Sequence, residues 1–238
     1  MTSGKLEMVQ PRSDAPLAGN VYLLRGFIGI WSYGIDKLGD RVREAGIRAN
    51  VYQESQWQSL ADTIIEKYQD VPDPEPLVLI GHSYGADDAV LIAQRLAEHN
   101  IRVDLVVTLD PVSTHKVPKN VVMCYNLYQP NFLDLFPFFR GVPLDSELAD
   151  SSNVKNVNIR TDRRDLLEPG TDHFNIEKKG TIHAEIVKKV KEYCPPRSKW
   201  LASRPGMRYS AAASSSGGSA SPEGGSPGRA GAAGTMTP

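Results

Sequence analysis

Residues 77–90 read LVLIGHSYGADDAV, and within them Gly81-His82-Ser83-Tyr84-Gly85 fits the pattern G-x-S-x-G. In that pattern a serine sits on a sharp strand-to-helix turn and projects its hydroxyl above a sheet. The flanking glycines are needed because strand and helix approach too closely for side chains, while the serine adopts a sparsely allowed backbone conformation. The local sequence supplies both neighbours. Leu77 to Ile80 is apolar at every position, and Ala86, Ala89, Val90, Ala93, Leu96 and Ala97 follow at helical spacing. The five residues alone would equally suit a tight corner without chemistry, so the question is whether partners exist.

A serine hydroxyl attacks well only when an imidazole takes its proton, and the imidazole needs a carboxylate to fix its tautomer. The motif resembles the nucleophile turn of α/β-hydrolases, and that resemblance implies that the acid and then the histidine follow the serine along the chain. Four histidines lie downstream: His99, His115, His173 and His183. His173 falls in EPGTDHFNIEKKG, a loop after the last expected strand, from which a side chain can reach back over a central strand. His183 lies inside the following helix with less reach, His115 lies in a loop, and His99 reads as a cation closing a helix. Asp110 ends the run VDLVVTLD before Pro111, which places its carboxylate at the carboxyl edge of the strand next after the serine's. Asp134, Asp145, Asp162 and Asp165 sit in loops that could also reach His173. Acyl transfer further needs oxyanion donors: the Tyr84 N–H and, in the loop RGFIGIW, the Phe27 N–H with Ile28 as alternate.

These groups must be held by a scaffold, and the chain supplies one by alternation. Asn20 to Arg25, Asn50 to Gln53, Leu77 to Ile80, Val103 to Leu109, Val121 to Leu127 and Val154 to Arg160 read as strands. Between them, Ile35, Leu38, Val42 and Ala45, then Trp57, Leu60, Ala61, Ile64, Ile65 and Tyr68, step as one-sided helices, and Thr181 to Tyr193 closes the series. Regular alternation implies a mostly parallel sheet of about six strands with helices on both faces, a three-layer α/β/α sandwich. In such sheets ligands sit beyond the carboxyl ends of the strands, where Ser83, Asp110 and Phe27 all fall.

Composition narrows the ligand. A formal charge of −1 over 238 residues gives no electrostatic footprint for nucleic acid or anionic lipid. Cys124 and Cys194 are 70 positions apart, without the spacing of a zinc site or a disulfide framework, and read as reduced thiols. No signal peptide or membrane span is visible, which points to a cytoplasmic protein. Residues 1–18 read as a polar arm and 19–195 as the folded domain. The Ala/Gly/Ser/Pro-rich residues 196–238 read as a disordered tail. Oligomeric state is not written in these patterns.

With GHSYG, the Asp at a strand end, the DHFNI loop and the Gly-Phe turn in this order, residues 19–195 resemble a serine α/β-hydrolase. The likeness is greater to thioesterase- and lipase-like members, whose acid follows the strand next to the nucleophile's. It implies a Ser83, Asp110, His173 triad and a Phe27/Tyr84 oxyanion hole, with no metal and no cofactor. Two departures stand out: Arg25-Gly26 replaces the usual His-Gly, and there is no room before Asn20 for leading antiparallel strands. A compact member without a large cap domain follows.

The expected activity is hydrolysis of a small-molecule carboxylic ester or thioester with an apolar acyl group, through an acyl-serine intermediate. An alcohol in place of water would make the same site an acyltransferase, and a fold that kept only the turn would be a binding protein. Phe132 and Phe136, in NFLDLFPFFRGVPLD, together with Ile28, are candidates for the acyl wall, although aromatics so placed can equally be core. Lys178-Lys179 or Lys188-Lys189 could meet a charged carrier, although on helices such pairs are usually solvated. Asp87 and Asp88 fall in a helix's first turn, where carboxylates complement its positive end, with at least one expected to point away from the sheet.

Overall fold

Apolar runs too short for helices, bounded by turn residues, form strands here, and three-and-four-spaced segments form the helices between them. The computed structural model describes residues 3–26, 33–130 and 141–204. In chain order come β1 (Asn20–Leu24), α1 (Tyr33–Glu44), β2 (Arg48–Tyr52), α2 (Trp57–Tyr68), β3 (Leu77–His82) and α3 (Tyr84–Glu98). They are followed by β4 (Leu105–Leu109), β5 (Lys116–Val117), β6 (Cys124–Tyr128), β7 (Asp145–Ser146), β8 (Val154–Asn158), α4 (Gly180–Tyr193) and α5 (Arg197–Ala202).

Six of these strands make one sheet in the order β2-β1-β3-β4-β6-β8, parallel at every pairing. Successive strand side chains point to opposite faces, so each strand feeds two cores. Val21 and Leu23 of β1, with Val78 and Ile80 of β3, pack under α1 and α4 against Ile35, Leu38, Ile182 and Ile186. Tyr22, Leu24, Leu77 and Leu79 face the other way, against Leu60 and Ile64 of α2 and Ala89, Ala93 and Leu96 of α3. The three-layer sandwich expected from the alternation is therefore the observed architecture.

Boundaries moved where pairing reached past the apolar run. β3 extends through Gly81 and His82, because His82 still pairs with Leu109 of β4. β4 starts at Leu105, leaving Val103 in a single bridge to Val121. The two-residue pair β5 and β7 has no hydrophobic period of its own and arises only where the chain after β4 meets the chain before β8.

Contacts divide the chain into a unit Met1–Trp200 and a unit Leu201–Pro238, of which residues 201–204 are described. In the first unit, buried Glu75 accepts from the N–H groups of Ser13 and Gly19 and pairs with Arg197, fastening residues before β1 to those after α4. Cys124 and Cys194 are buried and form no disulfide, and burial pushes each thiol up to about 12. Among the described residues no helix is long and apolar enough to cross a membrane.

Candidate active site

Ser83 lies between the last residue of β3 and the first of α3, with φ +56° and ψ −126°. That region is nearly closed to side-chain-bearing residues, and a non-glycine is held there only when its surroundings over-determine it. Here they do. The Ser83 N–H donates to Leu109 of β4 at 2.9 Å, and its carbonyl accepts from Ala86 at 2.9 Å. A side chain at Gly81 would overlap the Gly85 carbonyl, and one at Gly85 would reach within 2.6 Å of the Leu24 carbonyl oxygen of β1. Both glycines of the motif are thus required by close approach of β1, β3 and α3.

The hydroxyl produced by this turn meets an imidazole. Ser83 Oγ is 3.1 Å from His173 Nε2, and both residues are buried. A neutral ring that accepts at Nε2 carries its proton on Nδ1, and Nδ1 lies 3.4 Å from Asp110 Oδ2. This separation exceeds the usual N–H···O range of about 2.7–3.2 Å. Such bonds often tighten only once substrate is bound.

The loop that presents His173 is fixed by short-range bonds from its own polar side chains, as Asp, Asn and Thr favour. Asp172 accepts from the Phe174 N–H at 2.9 Å, Asn175 donates to the Gly170 carbonyl at 2.9 Å, and Thr171 Oγ1 donates to Glu168 at 2.6 Å. Asp110 is fully buried immediately after β4, at φ +46°. Its Oδ1 accepts from the Gln129 N–H at 2.6 Å, its Oδ2 lies 3.3 Å from Gln129 Nε2, and Gly141 lies against its carboxylate.

The structure brings together Ser83, Asp110 and His173, and the rivals among the described residues stand elsewhere or hold other partners. His99 is exposed at the end of α3, and His115 lies in the loop before β5. His183 is buried in α4, donating from Nε2 to the Glu177 carbonyl at 2.6 Å, and burial lowers its tendency to protonate. Asp145 belongs to β7, Asp162 accepts from the Asn158 N–H at 2.9 Å, and Asp165 is ion-paired with Arg163 at 2.8 Å. Tyr84 opens α3, so its N–H belongs to the helix's first turn beside Ser83. Phe27, Ile28, Phe132, Asp134 and Phe136 lie outside the described residues.

Both acids after the motif are buried, so neither lies on a solvated face. Asp87 turns toward β4 and accepts from Val112 and Ser113 N–H groups at 3.0 and 3.1 Å, bracing the loop that follows Asp110. Desolvation, with Asp87 and Glu54 adding repulsion, pushes Asp88 up to about 7. At least one lysine of each pair is engaged as well. Lys189 pairs with Glu192 at 2.6 Å and lies over the Tyr125 ring, and Lys179 donates to the Pro169 carbonyl. Among the described residues no group of three or more His, Cys, Asp or Glu could hold a metal ion.

Sequence reasoning missed His82, Gln129 and the pair Arg25 and Asp36. Arg25 follows β1 directly and makes a two-point ion pair with Asp36 of α1, at 3.0 and 2.6 Å, with both side chains buried. The arginine seen as a departure from His-Gly is therefore a clamp between β1 and α1. Gln129 was findable in principle, because it follows β6, whose carboxyl end neighbours that of β4.

A parallel sheet wound on both faces, with Ser83 raised on its strand-to-helix turn beside His173 and Asp110, defines the α/β-hydrolase fold. The thioesterase domain family model matches residues 42–164, more than half of the chain, a span that contains Ser83 and Asp110 and ends before His173. The chain belongs to this family and is a hydrolase of small-molecule esters or thioesters.

Solved structures give remote likenesses. Est1E from Butyrivibrio proteoclasticus is 12% identical over 81% of this chain and 92% of its own, with a TM-score of 0.45. An α/β-superfamily hydrolase from Xanthomonas campestris is 13% identical over 72% of this chain and 98% of its own, with a TM-score of 0.40. A YdeN-like hydrolase from Pectobacterium atrosepticum is 12% identical over 74% and 93%, with a TM-score of 0.38. No curated protein matches the chain.

Proposed function

We propose that the protein cleaves carboxylic esters or thioesters with an apolar acyl group through an acyl-serine intermediate on Ser83. The observation that carries this reading is the 3.1 Å contact of a strained, buried Ser83 hydroxyl with His173, backed by Asp110. His173 Nε2 takes the hydroxyl proton as Oγ bonds to the substrate carbonyl carbon, and the resulting imidazolium faces the Asp110 carboxylate. The oxyanion rests on the Tyr84 N–H and on a second donor from the loop after Gly26, Phe27 or Ile28. When the carbonyl re-forms, the bond to the alcohol or thiol breaks and His173 returns its proton to that leaving group. Water then gives its proton to His173 and its oxygen to the acyl carbon. The bond from the acyl carbon to Ser83 Oγ then breaks, His173 passes its proton to Oγ, and the carboxylic acid leaves with the Ser83 hydroxyl restored.

A fluorophosphonate probe tests this directly. Stoichiometric labelling at Ser83, abolished in Ser83→Ala and slowed at least about a hundredfold in His173→Ala, is expected. Folded protein that hydrolyses p-nitrophenyl esters yet never labels at Ser83 would remove the serine from the mechanism. Release of an alcohol-acyl product in preference to acid, with glycerol or methanol present, would make the enzyme an acyltransferase.

A further inference from the structure

A second imidazole lies against the first. His82 is the last residue of β3, one position before Ser83. Its buried ring is tilted 41° to that of His173, with centroids 5.3 Å apart. Its Nε2 lies 2.9 Å from the main-chain oxygen of His173. A carbonyl can only accept, so Nε2 carries the hydrogen and His82 donates it. The other ring edge faces Gly26, where an added Cβ would come within 3.6 Å of His82 Nδ1 and 3.2 Å of Ser83 Cβ. The ring is thereby wedged between the chain after β1 and the loop that holds His173.

We propose that His82 is a positioning residue: its Nε2–H anchors the main chain of His173 to the strand that carries Ser83, keeping the base in line with the hydroxyl. The inference rests on the reading of Ser83 and His173 given above. Turn bonds made by Asp172, Asn175 and Thr171 fix the shape of the base's loop, but they are local to it. They leave its distance from β3 unspecified. The His82 bond joins the two elements directly, across 91 positions of sequence. Burial beside His173 pushes the His82 imidazole down to about 3, so the donor stays in one neutral form wherever the hydrolase would be assayed. A cation there would oppose the imidazolium that forms on His173 during turnover.

His82→Gln, His82→Asn and His82→Leu in the full chain, assayed with p-nitrophenyl butyrate, test this. A glutamine amide can place an N–H where Nε2 stands, whereas an asparagine amide stops near Nδ1 and leucine donates nothing. His82→Gln should keep kcat within about threefold of wild type, while His82→Asn and His82→Leu should lose about tenfold to a hundredfold in kcat with KM within about twofold. Equal kcat in the Gln and Asn variants, or a Gln variant as slow as Leu, would overturn the role of the donated hydrogen bond. Failure of all three to fold would also overturn it, since the ring would then hold the fold and not the base. If His82→Leu alone is unfolded, the Gln and Asn pair decides. Ser83→Ala separates the two readings: an active Ser83→Ala removes the triad and His82 with it. An inactive Ser83→Ala beside a fully active His82→Leu leaves the triad and rejects His82.

Discussion

Replacing Ser83 by glycine should give a hydrolytically dead protein that is more stable than the equally dead Ser83→Ala. The native φ of +56° and ψ of −126° are held by the bonds to Leu109 and Ala86 and by the packing of Gly81 and Gly85. A side-chain-bearing residue forced into such a region costs about 1–3 kcal/mol. Glycine removes that cost but loses about 0.5–1 kcal/mol through the greater freedom of its unfolded chain. Both variants lose the hydroxyl and its contact with His173, so this loss cancels in the comparison. The two ranges leave about 0–2.5 kcal/mol in favour of glycine, with a central value of about 1 kcal/mol. For a domain of this size each kcal/mol moves the midpoint by about 2–4 °C, so Ser83→Gly should melt roughly 2–5 °C above Ser83→Ala. Reversible thermal unfolding followed by circular dichroism measures the gap. A glycine variant melting at or below the alanine variant would show that the turn stores no strain and that its geometry is relaxed in the folded chain.

Neutralising the two buried aspartates near the site should have unequal effects. Asp110→Asn should reduce kcat by about 10³- to 10⁴-fold, whereas Asp87→Asn keeps an oxygen for the Val112 and Ser113 N–H groups and should lose less than about tenfold; equal losses would contradict the assignment of Asp110. Asp88 titrates higher in the folded protein than in the unfolded chain, so the folded state binds the extra proton and stability falls as pH rises from about 4 to about 7. The stabilisation of Asp88→Asn over wild type should therefore be larger at pH 8 than at pH 5, and denaturant midpoints that differ equally at both would refute the burial argument. Removing one partner of the Arg25 and Asp36 clamp leaves a buried charge alone, so Asp36→Ala should cost about 3–5 kcal/mol in urea unfolding. A loss under about 1 kcal/mol would place the pair among weak surface bridges.

Local signals made much of the scaffold legible. Val21 and Leu23 alternate with Tyr22 and Leu24 because a strand's side chains change face at every step, and the helices repeat their apolar positions because their turns do. The same reasoning marked the turn at Ser83 from its pattern, and Gly81 is needed there by the nearby Gly85 carbonyl, although the need for glycine at 85 itself comes from Leu24 and Arg25, which the fold brings there. Asp110 was legible as the end of a strand, and His173 only as a histidine in a loop of suitable placement.

Which loop meets which strand is not a local property. His82 reads in sequence as the variable position of a five-residue motif, yet it bonds to a residue 91 positions away. Gln129 and Gly141 close around Asp110 only because β6 pairs with β4. Asp87 does lie in the first turn of α3, as its position implied, and the fold also turns it toward the backbone after Asp110. The sequence by itself determined the alternation of strands and helices, the turn that strains Ser83 and the order in which Asp110 and His173 follow it. Only tertiary structure decided which buried donors and acceptors surround them, because a buried polar group must find its partner wherever the packed layers bring one within about 3 Å.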